Sequence, residues 1–296
     1  AAPGTRETDL LHPVNSVQQV HGLVLSGGSA FGLDAASGVM RWLREHGHGL
    51  SVGPVKVPIV PAAVVFDLWV DAFDRPEGAQ IEPDAHAGYA ACDDAMQRLG
   101  PLPLGNVGAG AGATVGKLNG PDCAMRGGLG AASVMVDGFT VSALVVCNAV
   151  GDIVNPANGQ LVAGARQSAK SLDLLDAAHA QLNGHRAEGL ALGGNTTIGA
   201  IMTNASLTKV QATRLAQVGH DGLARTIRPV HTPMDGDTLF ALSTARQPGE
   251  VDMMRLCTAA AEVTAQAVLC AVEQAQDLRL GGRWWPAAST LRSSLK

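Results

Sequence analysis

A chain of 296 residues is long enough to bury roughly three quarters of the surface that its unfolded form exposes. Glycine accounts for 36 residues and Phe, Trp and Tyr for only ten, yet 46% of the residues are hydrophobic. These numbers predict layers in close approach around a core of Ala, Val and Leu, and they exclude collagen, coiled-coil and disordered chains. The net charge of −5 comes without a cluster of Lys and Arg, so no nucleic-acid partner is predicted.

The sequence also bears on membrane insertion, metal binding and cellular compartment. No run of eighteen apolar residues occurs, so no membrane span is predicted. The nine histidines include no HExxH pair, and we expect neither a metal nor a cofactor. The five cysteines are odd in number and lack CxxC spacing, which predicts reduced thiols in a cytoplasmic protein.

The first half of the chain mixes short strands with helices. Apolar residues at helical spacing follow a Ser-Gly-Gly turn at residues 26–28, and Pro58 and Pro61 predict bends in a β-rich run. In chain order the predicted elements are a strand over Val20–Leu25, a helix from about Leu33 to His46, the β-rich run over Val55–Leu68 and a helix over His86–Leu99.

The second half carries longer strands and longer helices. Asp137-Gly138 between two apolar runs is a strong hairpin signal, Ser206 is predicted to cap a helix, and the tail after Leu280 is predicted to lie on the surface. Consecutive strands separated by long helices predict sheets packed on each other with helices outside, in one domain over residues 1–296. The predicted elements are strands over Ala132–Val136 and Phe139–Val146, a third short strand after Asn148–Asp152, a helix over Ser171–Leu182 in a loop over 155–194, a strand over Thr196–Thr203, a helix through Val218, a strand over Asp237–Thr244 and a helix over Val251–Ala275.

Glycine-rich stretches imitate nucleotide-binding motifs without completing them. Residues 112–117 resemble a phosphate-binding loop, but that motif needs glycine at Ala111 and serine or threonine at Leu118. The serine in residues 28–32 is not in a nucleophile elbow, because that motif needs glycine two residues before and two after the serine and position 31 is Phe. These glycines are therefore interpreted as tight turns and close sheet contacts.

The junction Gly193-Gly194-Asn195-Thr196 is the most informative motif, because a long polar loop meets an apolar strand there. The Thr196 hydroxyl can attack the Asn195 carbonyl, and hydrolysis of the resulting ester leaves Thr196 as a new N-terminus. Its α-amine titrates near 7.7–8 in general, which suits a base at neutral pH. On the residues alone, an ordinary strand start after a glycine turn remains the alternative.

Three further positions carry polar groups at strand ends. Asp235 and Asp237 open a strand and can orient a hydroxyl or an ammonium group, although Asp is also common in turns. Lys117 is the only charge between Val107 and Asn119, and it needs an Asp partner if it is buried, unless it extends to solvent from an edge. Asn148 can donate to an oxyanion or simply form a turn.

Taken together, these motifs resemble the DmpA-type aminopeptidases, a family that includes the nylon-oligomer hydrolases. The Asn-Thr-Thr-Ile junction and the Met-Asp-Gly-Asp-Thr-Leu-Phe-Ala run are more similar to the nylon-oligomer hydrolases than to the serine-nucleophile aminopeptidases. The resemblance extends over nearly the whole chain, in the segments Ala2–Asp9, Ser26–Asp34, Pro61–Asp67, Gly108–Lys117, Val145–Val150, Asn195–Asn204 and His231–Thr238.

The resemblance implies an α+β fold, a four-layer αββα sandwich like that of N-terminal nucleophile hydrolases. It implies autocleavage between Asn195 and Thr196 into fragments 1–195 and 196–296, which stay together in a homo-oligomer, often a tetramer. Carried over by motif position, Thr196 is the nucleophile and Asn148 stabilises the oxyanion. Lys117 assists activation of the nucleophile, while Asp235 and Asp237 orient and polarise it.

Two substrate-binding residues and two departures follow from the same resemblance. Ser29, in the first glycine-rich motif, and Phe66 are predicted to contact the substrate. Phe66 stands where the family has a tyrosine, so a hydroxyl that could bond the tetrahedral intermediate is absent. The family's strand region before Ala2 is missing here or removed.

The predicted function is an N-terminal-threonine amidohydrolase that acts through an acyl-enzyme. Its substrate is a small amide, a short peptide or an oligoamide: α-peptides, β-peptides, D-amino-acid amides and 6-aminohexanoate oligomers all remain open. The alternatives are an aminopeptidase or D-amidase-esterase on small amino-acid amides, acyl transfer of the ornithine-acetyltransferase type, and an uncleaved binding module that has lost the chemistry.

Overall fold

The fold comes from a computed structural model that describes residues 3–72, 82–187 and 194–294. Within those ranges there are sixteen strands and seven α-helices. The strands are β1 Thr5–Arg6, β2 Val24–Ser26, β3 Leu50–Val52, β4 Val55–Val57, β5 Ala62–Val64, β6 Thr114–Val115, β7 Met125–Arg126, β8 Gly128–Val136, β9 Phe139–Asn148, β10 Asp152–Val154, β11 Leu161–Ala163, β12 Thr196–Ala205, β13 Ile227–Arg228, β14 Thr238–Gln247, β15 Leu278–Leu280 and β16 Arg283–Trp285. The α-helices are α1 Ala35–Glu45, α2 Leu68–Ala72, α3 Ala85–Gln97, α4 Ala177–Leu182, α5 Lys209–Thr226, α6 Met253–Glu273 and α7 Ala288–Ser294.

The largest sheet in the described residues has four strands in the order β14-β12-β9-β8. β8 and β9 form the predicted hairpin, in which Asp137 has φ 51° and Gly138 has φ 79°. Two positive φ angles define the turn whose twist matches the flanking strands, so the local signal gives the right structure. β12 lies antiparallel to β9 and parallel to β14, which places it in the centre of the sheet.

A second sheet, β1-β5-β2, packs on the first through buried apolar side chains. Val65 meets Val146, Ile198 and Phe240 in the cluster between the two sheets. On the outer side of the second sheet, Trp42 of α1 packs with α3 and with the chain around β5.

On the outer side of the first sheet, α5 and α6 pack together and against the strands. The layers therefore run helices, sheet, sheet, helices, which confirms the predicted four-layer α+β sandwich.

Small residues allow α6 to lie directly on the sheet. A Cβ atom at Gly130 of β8 would stand 2.0 Å from the carbonyl oxygen of Ala267, so only glycine fits there. At 21 residues α6 is long and apolar enough to cross a membrane. Its Leu256, Val263 and Val268 are buried in the cluster shared with the sheet, as is usual for the core helix of a folded protein.

Element boundaries shift where side-chain hydrogen bonds decide them. Ser206 does not cap α5; Thr208 does, because its hydroxyl accepts the Gln211 amide while the Gln211 side chain accepts the Thr208 amide. α4 starts at Ala177 rather than near residue 171, since the Asp176 carboxylate caps it.

The prediction that the tail after Leu280 lies on the surface is wrong for the residues around Trp285, which are buried. β15 and β16 form a hairpin that turns at Gly281-Gly282 and directs Trp285 inward, where it is fully buried. The Trp285 indole donates to the Pro121 carbonyl at 2.9 Å and lies edge-on to Trp69. A buried indole needs a large apolar site with an acceptor, and distant parts of the chain supply both.

Candidate active site

Three strand ends bring the predicted site residues together. Thr196 begins β12 and pairs with Asn148, the last residue of β9. β14 starts beside Ile198, so the segment before it, with Asp235 and Asp237, runs along the same end of the sheet. An isolated parallel bridge joins Asp235 to Asn195. Gly193, part of the predicted junction, lies outside the described residues.

The carbonyl oxygen of the Asn195–Thr196 peptide bond accepts two hydrogen bonds. The Thr196 hydroxyl donates to the Asn195 oxygen at 2.6 Å, and the Gly236 amide donates to the same oxygen at 2.8 Å. A donor on a carbonyl oxygen stabilises the negative charge that develops there during nucleophilic attack. Gly236 was not predicted as a site residue; its place between two candidate aspartates is the only sequence signal for it.

Gly236 also leaves room for the Thr196 hydroxyl. A Cβ atom at this position would stand 2.9 Å from the Thr196 hydroxyl oxygen and 3.0 Å from the Cα of Pro3. Thr196 itself is only 2% exposed, so its hydroxyl is shielded from solvent in the uncleaved chain.

Lys117 is buried beside Asn148 rather than extending to solvent. Its ammonium nitrogen donates to the Asn148 side-chain oxygen at 2.8 Å, to the Asn148 carbonyl at 2.9 Å and to the Gly194 carbonyl at 3.4 Å. The expectation of an aspartate in direct contact is replaced by these neutral oxygens, while Asp235 acts on the lysine through its charge. Burial outweighs that charge and lowers the pKa of Lys117 to about 7, so a neutral amine is accessible near neutral pH.

The Asn148 side chain is fixed from both ends. Its oxygen accepts from Lys117 and from the Thr114 amide, and its nitrogen donates to the Phe66 carbonyl at 3.0 Å. This orientation follows from the network, since lysine and a backbone amide require an acceptor. The Asn195 carbonyl oxygen therefore accepts from the Gly236 amide and the Thr196 hydroxyl, not from Asn148, and the oxyanion role of Asn148 stays a prediction.

The two aspartates face different partners. Asp235 accepts from the Thr232 hydroxyl at 2.7 Å and from the Val150 amide at 3.4 Å. Burial, followed by the charge of Asp237, raises the pKa of Asp235. Asp237 accepts from the Thr197 amide at 2.8 Å, directly beside the predicted nucleophile Thr196.

Two histidines form a chain of contacts that begins at Asp237. The Nδ1 atom of His231 lies 2.8 Å from the second oxygen of Asp237, and His220 of α5 lies against the far side of the His231 ring. Neither histidine was predicted as a site residue. The sequence signal for His231 is its position in the same motif as the two aspartates. His220 lies 11 residues before that motif, and the sequence contains no signal for it.

Comparison with known proteins agrees with this geometry. The model of peptidase family S58 matches residues 1–283. The chain belongs to peptidase family S58. It is thus a hydrolase that acts on peptide or amide bonds, and the resemblance to the DmpA-type aminopeptidases is confirmed.

Two relatives illustrate the range of the S58 family. An uncharacterized aminopeptidase of Mycobacterium tuberculosis (strain ATCC 25618 / H37Rv) is 44% identical over 301 residues, which cover 94% of this chain and 81% of that protein. A 6-aminohexanoate-oligomer endohydrolase of Paenarthrobacter ureafaciens is 33% identical over 227 residues, covering 76% of this chain and 60% of that protein.

Solved structures show the same fold. A β-aminopeptidase from Burkholderia sp. superimposes with a TM-score of 0.61 at 20% identity, covering 92% of this chain and 72% of that one. The L-aminopeptidase D-Ala-esterase/amidase of Ochrobactrum anthropi, described as a variant of the Ntn hydrolase fold, gives 0.55 at 20% identity, with 88% and 69% covered. At these identities the likeness extends to the fold alone.

The two predicted substrate-binding residues of this S58 chain lie on adjoining segments. The Phe66 carbonyl holds the Asn148 side chain, and the Ser29 amide donates to the Val65 carbonyl at 2.9 Å. Both residues are half-buried. Phe66 is thereby tied to the polar network, and Ser29 to the strand that leads into Phe66.

In the described parts of the chain, no group of three His, Cys, Asp or Glu side chains is arranged to hold a metal ion. None of the five cysteines forms a disulfide in the described structure, and burial raises the pKa of the Cys147 thiol to about 12. The chemistry available at this site is therefore that of a hydroxyl, an amine, two carboxylates and backbone amides.

Proposed function

We propose that this chain is a self-cleaving threonine amidohydrolase. The observation that carries the proposal is the pair of hydrogen bonds at the Asn195–Thr196 peptide bond, whose carbonyl oxygen accepts from both the Thr196 hydroxyl and the Gly236 amide. A nucleophile in contact with the carbonyl group and a donor already on its oxygen are what an N→O acyl shift requires.

Self-cleavage proceeds in two steps, an N→O acyl shift and hydrolysis of the resulting ester. The Thr196 oxygen attacks the Asn195 carbonyl carbon, its proton passes to a base, and the C–N bond breaks as the nitrogen takes up a proton. Water then hydrolyses the ester, which leaves a carboxylate on Asn195 and a free α-amine on Thr196. Neutral Lys117 is the proposed base, because its pKa of about 7 makes the amine available at neutral pH.

Hydrolysis of substrate repeats this chemistry with a free nucleophile. The Thr196 hydroxyl attacks an amide carbonyl, the amine leaves, and water releases the acyl group. The α-amine of Thr196 acts as base, and Asn148 stabilises the oxyanion once its side chain can face the substrate. Because Thr196 is 2% exposed before cleavage, the shielding of the hydroxyl supports an order in which self-cleavage comes before activity.

The proposed substrates are short peptides or ω-amino acid oligomers with a free amino end. Asp235 or Asp237 supplies a negative charge for the substrate ammonium group. The two named relatives, an aminopeptidase and a 6-aminohexanoate-oligomer endohydrolase, support this substrate class. The cleaved unit is proposed to assemble as a homotetramer in the cytoplasm.

The test compares wild type with Thr196→Ala and Thr196→Ser on denaturing gels and in hydrolysis of aminoacyl anilides and 6-aminohexanoate oligomers. Wild type gives two fragments and hydrolyses at least one substrate, Thr196→Ala gives one band and no hydrolysis, and Thr196→Ser retains part of both because a hydroxyl is present. Normal fragments in Thr196→Ala would overturn the assignment of the nucleophile.

A further inference from the structure

His231 lies at a strained position just before β14. Its φ of 55° falls in the left-handed region, which residues other than glycine, asparagine, aspartate and histidine rarely adopt. Its side chain is 37% exposed, whereas the Asp237 side chain that it contacts is 3% exposed. A strained residue beside a reactive centre is a reason to look for a function of its side chain.

The contacts of His231 and Thr197 together fix the Asp237 carboxylate at both of its oxygens. Nδ1 of His231 lies 2.8 Å from Oδ2 of Asp237, and the His231 amide donates to the same oxygen at 3.4 Å. The other oxygen, Oδ1, accepts the Thr197 amide at 2.8 Å. Asp237 is thus held between the residue that follows the nucleophile and the imidazole.

His220 supports the far side of His231. Its Nδ1 lies 3.4 Å from Nε2 of His231, and the ring centroids are 4.9 Å apart. Burial and the neighbouring His231 lower the pKa of His220, while the hydrogen bond to Asp237 raises the pKa of His231. A neutral His220 can therefore accept a hydrogen bond from Nε2–H of a charged His231, whose Nδ1–H donates to Asp237.

Among the described residues, the other charged groups that act on this pair are carboxylates. Asp235, from the same segment as His231, acts on His231, and Asp221, next to His220 on α5, acts on His220. All the carboxylates that surround the pair favour the imidazolium form over the neutral form.

We propose that His231 is a positioning residue, which holds the Asp237 carboxylate in place beside the nucleophilic threonine while His220 holds His231. This inference rests on the proposed function, because it assigns Asp237 to the same hydrolytic site. The hydrogen bond to Asp237 is strongest while His231 carries its second proton. Hydrolysis therefore falls as the pH rises through the pKa of His231, which lies above its ordinary value of 6.5.

The experiment measures kcat and KM against pH for the wild type and two variants of the full chain. His231→Ala removes the contact, and we expect kcat to fall about 10- to 100-fold, the effect of losing a hydrogen bond to a charged group, with KM unchanged. His231→Asn keeps an N–H donor and tolerates the positive φ, so it restores most of kcat but loses the fall of kcat through the pKa of His231. The control is His86→Asn, which changes an exposed histidine on α3 and should behave as wild type.

Three results would contradict the role of His231. His231→Ala matching wild type at every pH is one, and His231→Asn no better than His231→Ala is the second. The third is a loss of kcat that follows a loss of thermal stability in both variants. Intact mass of each variant separates the two proposals: an uncleaved, inactive wild type overturns the proposed function and this inference with it, whereas an active wild type with an equally active His231→Ala overturns this inference alone.

Discussion

The two halves of strand β12 have opposite environments. At its beginning, Thr196 and Thr197 are buried among polar groups, and in the described structure both polar atoms of the neighbouring Asn195 side chain lack a hydrogen-bond partner. Further along, Ile201 and Ala205 lie in the apolar cluster shared with α5 and α6. Buried polar groups without a hydrogen-bond partner destabilise the folded state, whereas burial of apolar side chains stabilises it. The apolar half stabilises the fold, and the polar half holds reactive groups together at a cost.

The largest expected effect comes from a single methyl group at the polar end. In Gly236→Ala the new Cβ would stand 2.9 Å from the Thr196 hydroxyl oxygen and 3.0 Å from the Pro3 Cα, and we expect the hydroxyl to be displaced from the Asn195 carbonyl. We expect no fragments on a denaturing gel, although the protein still folds. Gly138→Ala is the matched control, because nothing lies near that glycine in its hairpin turn, and it should be cleaved normally at some cost in stability. Normal cleavage of Gly236→Ala would contradict the contact.

A smaller effect is expected from the buried lysine. Lys117→Met keeps the length of the side chain but removes the base, and self-cleavage should slow by about 10²- to 10⁴-fold, the usual contribution of general base catalysis. In wild type the cleavage rate should rise as the pH increases through about 7, because the neutral amine accepts the proton. In Lys117→Met that rise should disappear when the rate is followed by mass spectrometry after refolding.

The same substitution separates stability from chemistry. A lysine whose pKa falls from 10.5 to about 7 on folding destabilises the folded state most at low pH, and the penalty shrinks as the pH rises above 7. Lys117→Met should therefore be more stable than wild type, with the largest gain below pH 7. Urea unfolding of both proteins in a Thr196→Ala background gives this difference, and a less stable Lys117→Met at pH 6 would contradict it.

A pair of alanine substitutions sharpens the comparison between the two halves. In the uncleaved Thr196→Ala background, Leu256→Ala in α6 should lower the free energy of unfolding by about 2–5 kcal/mol, since it leaves a cavity in the core. Asn195→Ala should raise it by about 1 kcal/mol, because it removes unpaired buried polar atoms while losing some packing. Urea unfolding curves measure both, and the same sign for the two changes would contradict the distinction.

Local signals predicted much of this fold. The Asp137-Gly138 turn and the periodic helices depend on neighbours in sequence, so β8, β9, α3 and α6 appear close to where the sequence places them. Trp285 was misplaced because its burial depends on Pro121 and Trp69, which no local pattern connects to it.

The candidate site divides in the same way. The structure brings Thr196, Asn148, Lys117 and both aspartates to one end of the sheet. Gly236 and His231 were missed because their contributions arise across strands: the first through an amide that faces Asn195, the second through an imidazole that faces Asp237. Backbone donors and the partners of a carboxylate become visible only when the strands are paired.

The most direct test of the whole account is the intact mass of freshly purified wild-type chain, with sequencing of any new N-terminus. The account predicts two species that together make up the full chain, the second beginning at Thr196. A single uncleaved mass in active protein, or a break at any other peptide bond, would contradict it.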